Sequence, residues 1–147
     1  TIASERIDEM QEHYEFLKNR LVQGLCELND RIPNLNIRFN SLITDDNKCQ
    51  SPSIVNFSFP PVEGEVLLHH LEEKGIFVGL GSACSASLKK PSVILMGIGL
   101  SEQQARCSLR ISFSGNNTIK DVDIFLKEFS RAYQNLYSTF SKITPNN

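Results

Sequence analysis

Apolar residues recur every three or four positions at the start of the chain: Ile7, Met10, Tyr14, Leu17, Leu21, Leu25 and Leu28 fall on one stripe of a helix. That spacing predicts a single long helix over residues 1–32. Pro33 and Asn34 break the pattern, and Leu35, Ile37 and Phe39 then alternate with polar neighbours, the period of a short strand. Residues 40–52 are mostly polar, carry Asp45, Asp46 and Asn47, and read as a surface loop with Cys49 exposed in it. In SIVNFSFP, Val55, Phe57 and Phe59 face one way and Ile54, Asn56 and Ser58 the other, so a half-buried strand runs up to Pro60-Pro61. EGEVLLHHLEEKG predicts a helix with Val66, Leu67, Leu68 and Leu71 as its apolar set, ended by Gly75 in a left-handed conformation. Ile76, Phe77 and Val78 then read as a short buried strand that leads directly into GLGSACSAS, residues 79–87.

The second half follows the same logic. Pro91 suits the first turn of a helix over PSVILMGIG. Ser101 with Gln104 matches a capping box for a further short helix, SEQQARC. Leu109, Ile111 and Phe113 alternate with Ser108, Arg110, Ser112 and Ser114 in another one-sided strand. Thr118 with Asp121 can cap a last helix whose buried stripe is Val122, Phe125, Phe129, Ala132, Leu136 and Phe140, before a frayed TPNN tail. The order of elements predicts an α+β fold, a small mixed or antiparallel sheet with helices packed on one face. The 147 residues suffice for one domain with a real core.

Charge and composition narrow the function classes. A formal net charge of −2 offers no electrostatic attraction to nucleic acid or to an anionic membrane. No apolar run approaches the roughly 20 residues that span a bilayer, and the start has no basic-then-apolar signal pattern. The expected setting is the cytoplasm, with the four cysteines as reduced thiols. Cys26, Cys49, Cys84 and Cys107 form no C-x-x-C pair, so no zinc cage or other metal site is expected. Cys26 and Cys107 adjoin apolar positions and read as packing residues. The chain opens on Thr1, almost inside its first helix, which reads as a piece of a longer protein.

Two residues stand out as carriers of chemistry. Cys84 sits among residues with almost no side chain, so Ser82, Ala83, Ser85, Ala86 and Ser87 leave its sulfur unshielded. Gly79 and Gly81 allow sharp turns and motion ahead of it, and Lys89 and Lys90 follow with positive charge, conditions that favour a reactive thiolate. A plain surface loop with an incidental cysteine is the alternative. Arg110 lies on the polar face of its strand with Ser108 and Ser112, where a guanidinium on rigid backbone can receive a carboxylate bidentately. A solvated arginine on an exposed sheet face is the alternative there. His69 and His70 stand beside leucines without a second donor at metal-ligand spacing, at most one of them turned inward, and His13 belongs to the polar side of its helix.

Taken together, V-E-G-E, G-S-A-C, P-S-x-x-L, I-G-L-S and S-L-R-I-S occur in an order and spacing that resembles the C-terminal segment of NifS/IscS-like cysteine desulfurases. With N-T-x-x-D-V-D added, the resemblance covers about residues 53–140. It implies the small domain of a fold-type-I pyridoxal-phosphate enzyme. In that family a large domain holds the cofactor, which activates L-cysteine. A loop cysteine takes the substrate sulfur as a persulfide, and alanine leaves. By motif position, the resemblance makes Cys84 the nucleophile, Arg110 the anchor of the substrate carboxylate, and Gly79, Gly81 and Ser82 the hinge of a mobile loop over residues 79–90. It further implies a homodimer that passes sulfur to an acceptor, such as an iron–sulfur scaffold or a tRNA-thiolation enzyme. No lysine here occupies the place of the Schiff-base lysine, so this chain alone is expected to hold no pyridoxal phosphate and to be inactive. Where members often have Thr-Ser-Ala-Ser-Leu-Glu after the cysteine, this chain has Ser85-Ala86-Ser87-Leu88-Lys89-Lys90, so the acidic position is basic, which bears on partner docking. A selenocysteine-acting or aminotransferase-like relative, or a stand-alone module that docks sulfur acceptors, are the rival readings.

Overall fold

Alternation in VNFSF and SLRIS produces two adjacent strands, β2 (Ile54–Ser58) and β4 (Ser108–Ser112), paired antiparallel with Val55 opposite Ile111 and Phe57 opposite Leu109. The computed structural model describes residues 2–40, 52–81 and 99–143. Among these, β1 (Arg38–Phe39) extends the sheet beyond β2, and β3 (Gly79–Leu80) extends it beyond β4, giving the order β1-β2-β4-β3 with every pair antiparallel. Because strand side chains alternate, Val55, Phe57, Leu109 and Ile111 all enter one buried cluster, and Asn56 and Arg110 stand together on the other face.

Three helices cover the apolar face, as the α+β reading expects. The first, α1 (Ile2–Arg31), buries Leu17, Leu21, Leu25 and Leu28; α2 (Gly64–Glu72) buries Leu67 and Leu71. A short α3 (Glu102–Arg106) precedes β4, and α4 (Ile119–Ile143) buries Val122, Phe125, Phe129, Ala132 and Tyr133. Both predicted caps form. Ser101 and Gln104 exchange hydrogen bonds reciprocally at the start of α3, and Thr118 and Asp121 do so at α4. Gly75 ends the α2 segment with φ 76°, as the sequence predicts.

Aromatic packing holds the layers together. The ring of Phe129 meets those of Phe57 and Phe59 edge-on at centroid distances of 5.6 and 5.3 Å, an arrangement that adds about 0.5–1.5 kcal/mol per pair beyond the buried area. Tyr133 stacks beyond Phe129, and its hydroxyl donates to the carbonyl of Asn34 at 3.1 Å. That bond ties α4 to the turn after α1, where Asn34 takes a left-handed φ of 68°. Two glycines set close approaches. A Cβ on Gly24 would collide with the Leu126 side chain of α4, and one on Gly64 would collide with the Ser108 carbonyl oxygen of β4.

The structure corrects several expectations. Ile7 and Met10 are exposed, because the packing against α4 and the sheet begins only at Leu17. Cys26 is exposed, one residue and therefore about 100° off the stripe carried by Leu25. Val66 is exposed for the same reason beside Leu67, and Phe140 lies beyond the sheet with its surface partly open. His69 and His70 are both exposed, within the expectation that at most one turns inward. His13 is half-buried, and its Nε2–H donates to the Asn117 carbonyl at 2.9 Å. The predicted buried strand Ile76–Val78 is irregular, with Phe77 80 % exposed. Its first amide is spent elsewhere: the Ile76 N–H closes the end of α2 on the Leu71 carbonyl, so pairing with β4 starts only at Gly79. The expectations for Cys49 in its loop, for a helix over PSVILMGIG and for the TPNN tail concern residues that lie outside the described ones.

Candidate functional site

The polar face of the sheet brings three of the singled-out positions into one neighbourhood. Register sets Asn56 opposite Arg110 across β2 and β4, and Arg110 opposite Gly79 across β4 and β3. Arg110 is there because Leu109 and Ile111 are committed to the core, which forces the residue between them to the other side. Its guanidinium lies against the β3 backbone: a Cβ on Gly79 would stand 3.2 Å from Nη2 and 3.3 Å from Nε. The glycine is therefore used for space at this point, in extended backbone. The Nε–H is buried and has no hydrogen-bond partner among the described residues. A buried cationic N–H without a partner is costly unless a ligand completes it.

Beside the arginine, a chain of side-chain hydrogen bonds crosses the same face. Asn56 Nδ2 donates to the Gly81 carbonyl at 3.0 Å, and Asn56 Oδ1 accepts from Asn40 Nδ2 at 2.9 Å. Asn40 Nδ2 also donates to Ser58 Oγ at 2.8 Å, and the Asn40 backbone N–H donates to the Asn56 carbonyl at 2.9 Å. A carbonyl can only accept, so Gly81 fixes the orientation of the Asn56 amide, and Asn56 in turn fixes that of Asn40. Sequence reading placed Asn56 on the polar face but gave it no role. The signal available was an amide among β-branched and aromatic strand residues.

The described cysteines differ from the chemistry expected of a nucleophile. Cys107 is buried, and burial first, with the Glu63 carboxylate second, pushes its thiol from 9.0 up to about 12 despite the opposing Arg106 charge. It remains a neutral thiol at ordinary pH, as a packing residue should. Cys26 is a surface thiol on α1. Cys84 and Ser82 lie outside the described residues, and Gly81 is the last described residue before them.

The Arg110 face offers a guanidinium, carboxamides and hydroxyls, a donor set that suits carboxylates and carbonyls. Among the described residues it has no lysine with which to form an imine, and pyridoxal phosphate is not assigned to these residues. Also among the described residues, no cluster of three His, Cys, Asp or Glu could hold a metal ion, and no helix is long and apolar enough to cross a membrane.

Comparison with known proteins places this geometry in context. A family model described as aminotransferase class-V matches residues 2–125. The cysteine desulfurase IscS of Clostridium botulinum is 38 % identical over 126 residues, 86 % of this chain and 30 % of that protein. The cysteine desulfurase IscS of Methanosarcina thermophila is 33 % identical over 144 residues, 98 % of this chain and 33 % of that protein. Among solved structures, a NifS-like protein superposes with a TM-score of 0.71 at 27 % identity, covering 92 % of this chain and 31 % of that one. The chain thus spans about a third of the length of the curated relatives it matches.

Proposed function

Because the chain belongs to the aminotransferase class-V family, we propose that it is the C-terminal, small-domain part of a cysteine desulfurase. Its substrate is L-cysteine and its product a persulfide on Cys84. The observation that carries this reading is the Arg110 guanidinium, laid against Gly79 with a buried Nε–H that has no partner among the described residues. A substrate carboxylate bridging Nε and an Nη nitrogen would satisfy that donor and neutralise the charge.

In this mechanism Arg110 holds the amino acid by its carboxylate and fixes its orientation. The Cys84 thiolate attacks the substrate sulfur, an S–S bond forms, and the carbon–sulfur bond breaks. The electron pair of that bond stays on the departing three-carbon fragment, which takes up a proton and leaves as alanine. Pyridoxal phosphate, held by the rest of the enzyme, supplies the electron sink that this cleavage requires. Gly79, Gly81 and Ser82 are the hinge of this reading: Gly79 lies within β3 beside Arg110, and the segment bearing Cys84 follows Gly81 and Ser82 and swings towards an acceptor. A homodimer in the cytoplasm handing sulfur to an iron–sulfur scaffold or a tRNA-thiolation enzyme completes the reading.

The test uses both the 147-residue chain and the longer protein that carries it. The chain alone, mixed with L-cysteine and pyridoxal phosphate, should release no alanine; release would overturn its assignment as a partial enzyme. In the longer protein, Cys84→Ser should abolish sulfur transfer and leave the cofactor absorption band in place. Persulfide transfer by that variant would remove Cys84 from its role.

A further inference from the structure

The hydrogen bond between Asn56 and Gly81 spans more of the sheet than a neighbouring-strand contact. Gly81 follows directly on β3, the edge strand paired with β4, whereas Asn56 belongs to β2 on the far side of β4. Adjacent strands lie about 4.8 Å apart, so β2 and β3 are separated by roughly twice that distance. An asparagine side chain cannot cover such a span to a residue still in line with β3. For its Nδ2 to lie 3.0 Å from the Gly81 oxygen, the chain must leave the sheet edge after Leu80 and bend over the polar face towards β2. Pairing agrees, since Gly79 and Leu80 pair with Arg110 and Leu109 and the ladder stops there. The bend carries the backbone across the face on which Arg110 stands.

We propose that Asn56 is a positioning residue. By holding the Gly81 carbonyl it directs the chain over the sheet beside Arg110, so that the residues leading to Cys84 set out from next to the carboxylate receptor. Asn40 is its support. The Asn40 amide holds Asn56 Oδ1 at 2.9 Å and is itself steadied by Ser58 Oγ at 2.8 Å, which leaves the Asn56 Nδ2–H donor aimed at Gly81. The face is consistent with a built arrangement, because Ser58 is wholly buried at 0 % exposure. The catalytic consequence of this tie, though not the tie itself, rests on the desulfurase reading above.

Asn56→Asp tests the bond to Gly81 while keeping the one to Asn40. The carboxylate still accepts from Asn40 but can no longer donate to Gly81, and it repels the carbonyl it faces. It also puts a negative charge opposite Arg110, at the short cross-strand distance of paired residues. Asn56→Ala removes the tie without adding charge. The first readout is the iodoacetamide alkylation rate of each cysteine in the 147-residue chain, resolved by peptide mass, with exposed Cys26 as reference. Both variants should alkylate Cys84 about three- to tenfold faster than the parent, the scale of one net hydrogen bond, with the Cys26 rate and the circular dichroism unchanged. Equal Cys84 rates in parent and variants would overturn the proposal, whatever the enzyme's activity. If Asn56→Ala fails to fold, the Asn56→Asp rate decides.

The second readout, in the longer protein with its cofactor, separates the tie from the desulfurase reading. Asn56→Ala should lower kcat at least tenfold and leave KM for L-cysteine within about twofold, since Arg110 is intact. Asn56→Asp should raise KM as well, through its carboxylate competing for Arg110. A parent protein that makes no alanine, with the alkylation difference present, would fell the desulfurase reading and leave the tie standing. A change confined to KM in Asn56→Ala would overturn the proposed role.

Discussion

The two faces of this sheet are made by the same residues' neighbours, yet they obey different rules. On one face, Val55, Phe57 and Leu109 are fully buried, and every ring in the Phe57–Phe59–Phe129–Tyr133 group has an aromatic partner. On the other, Asn56 and Arg110 are only half-covered, and two buried polar atoms, Asn40 Oδ1 and Arg110 Nε, have no hydrogen-bond partner among the described residues. One face satisfies itself from within the described residues. The other leaves one acceptor and one donor without a partner among them, the mark of a surface shaped for something beyond those residues. The lesson is that stability and chemistry in this fold are separable by a single step along a strand.

That separation can be broken first where it should cost most. Phe129→Ala removes the ring that both Phe57 and Phe59 contact, and should lower the unfolding free energy by about 3–5 kcal/mol. Arg110→Ala, on the opposite face, should change it by no more than about 1 kcal/mol; on the desulfurase reading proposed above, it should also raise KM for L-cysteine in the longer protein. Urea denaturation of the two variants side by side tests the contrast. Comparable stability losses would mean that the faces are not independent. The next largest effect is at Gly64, where the first turn of α2 rests on the Ser108 carbonyl. Gly64→Ala must move backbone against backbone, and should destabilise by about 1–3 kcal/mol even though alanine is the better helix former. An unchanged urea midpoint would show that α2 can shift without cost.

Periodicity made the apolar face legible in the sequence. The pattern of Val55, Phe57 and Phe59 against Ile54, Asn56 and Ser58, the stripe from Leu17 to Leu28, and both capping boxes are local signals, and all appear in the structure. What failed was whatever depends on how far a partner element reaches. Ile7 and Met10 continue a flawless helical stripe but find no described element to cover them, and Ile76–Val78 has strand-forming residues whose first amide is claimed by the end of α2. The polar face was legible only in part. Arg110 stood out because its strand alternates so cleanly, whereas the span from Asn56 to Gly81 joins residues 25 apart in sequence and depends on the order of strands in the sheet. No local pattern encodes that order.

The smallest expected effect sharpens the same comparison through pH. Cys107 and Tyr133 are two titratable side chains that the apolar side hides. Burial raises the thiol from 9.0 to about 12 and the phenol from 10.0 to about 12. For both, the neutral form is the one that the fold accommodates, so their contribution is complete below the unfolded-state values. It is lost as pH climbs, because the unfolded chain then ionises while the folded chain does not. The urea midpoint should therefore begin to fall near pH 9.0, where of these two groups the thiol alone titrates in the unfolded state, and steepen above pH 10.0 as the phenol joins it. Cys107→Ala should flatten the first part of that fall and leave the second. If the midpoint of the variant declines from pH 9.0 as the parent's does, the thiol is not held in its neutral form by the core, and Cys107 belongs with the exposed Cys26 rather than with Phe129 and Tyr133.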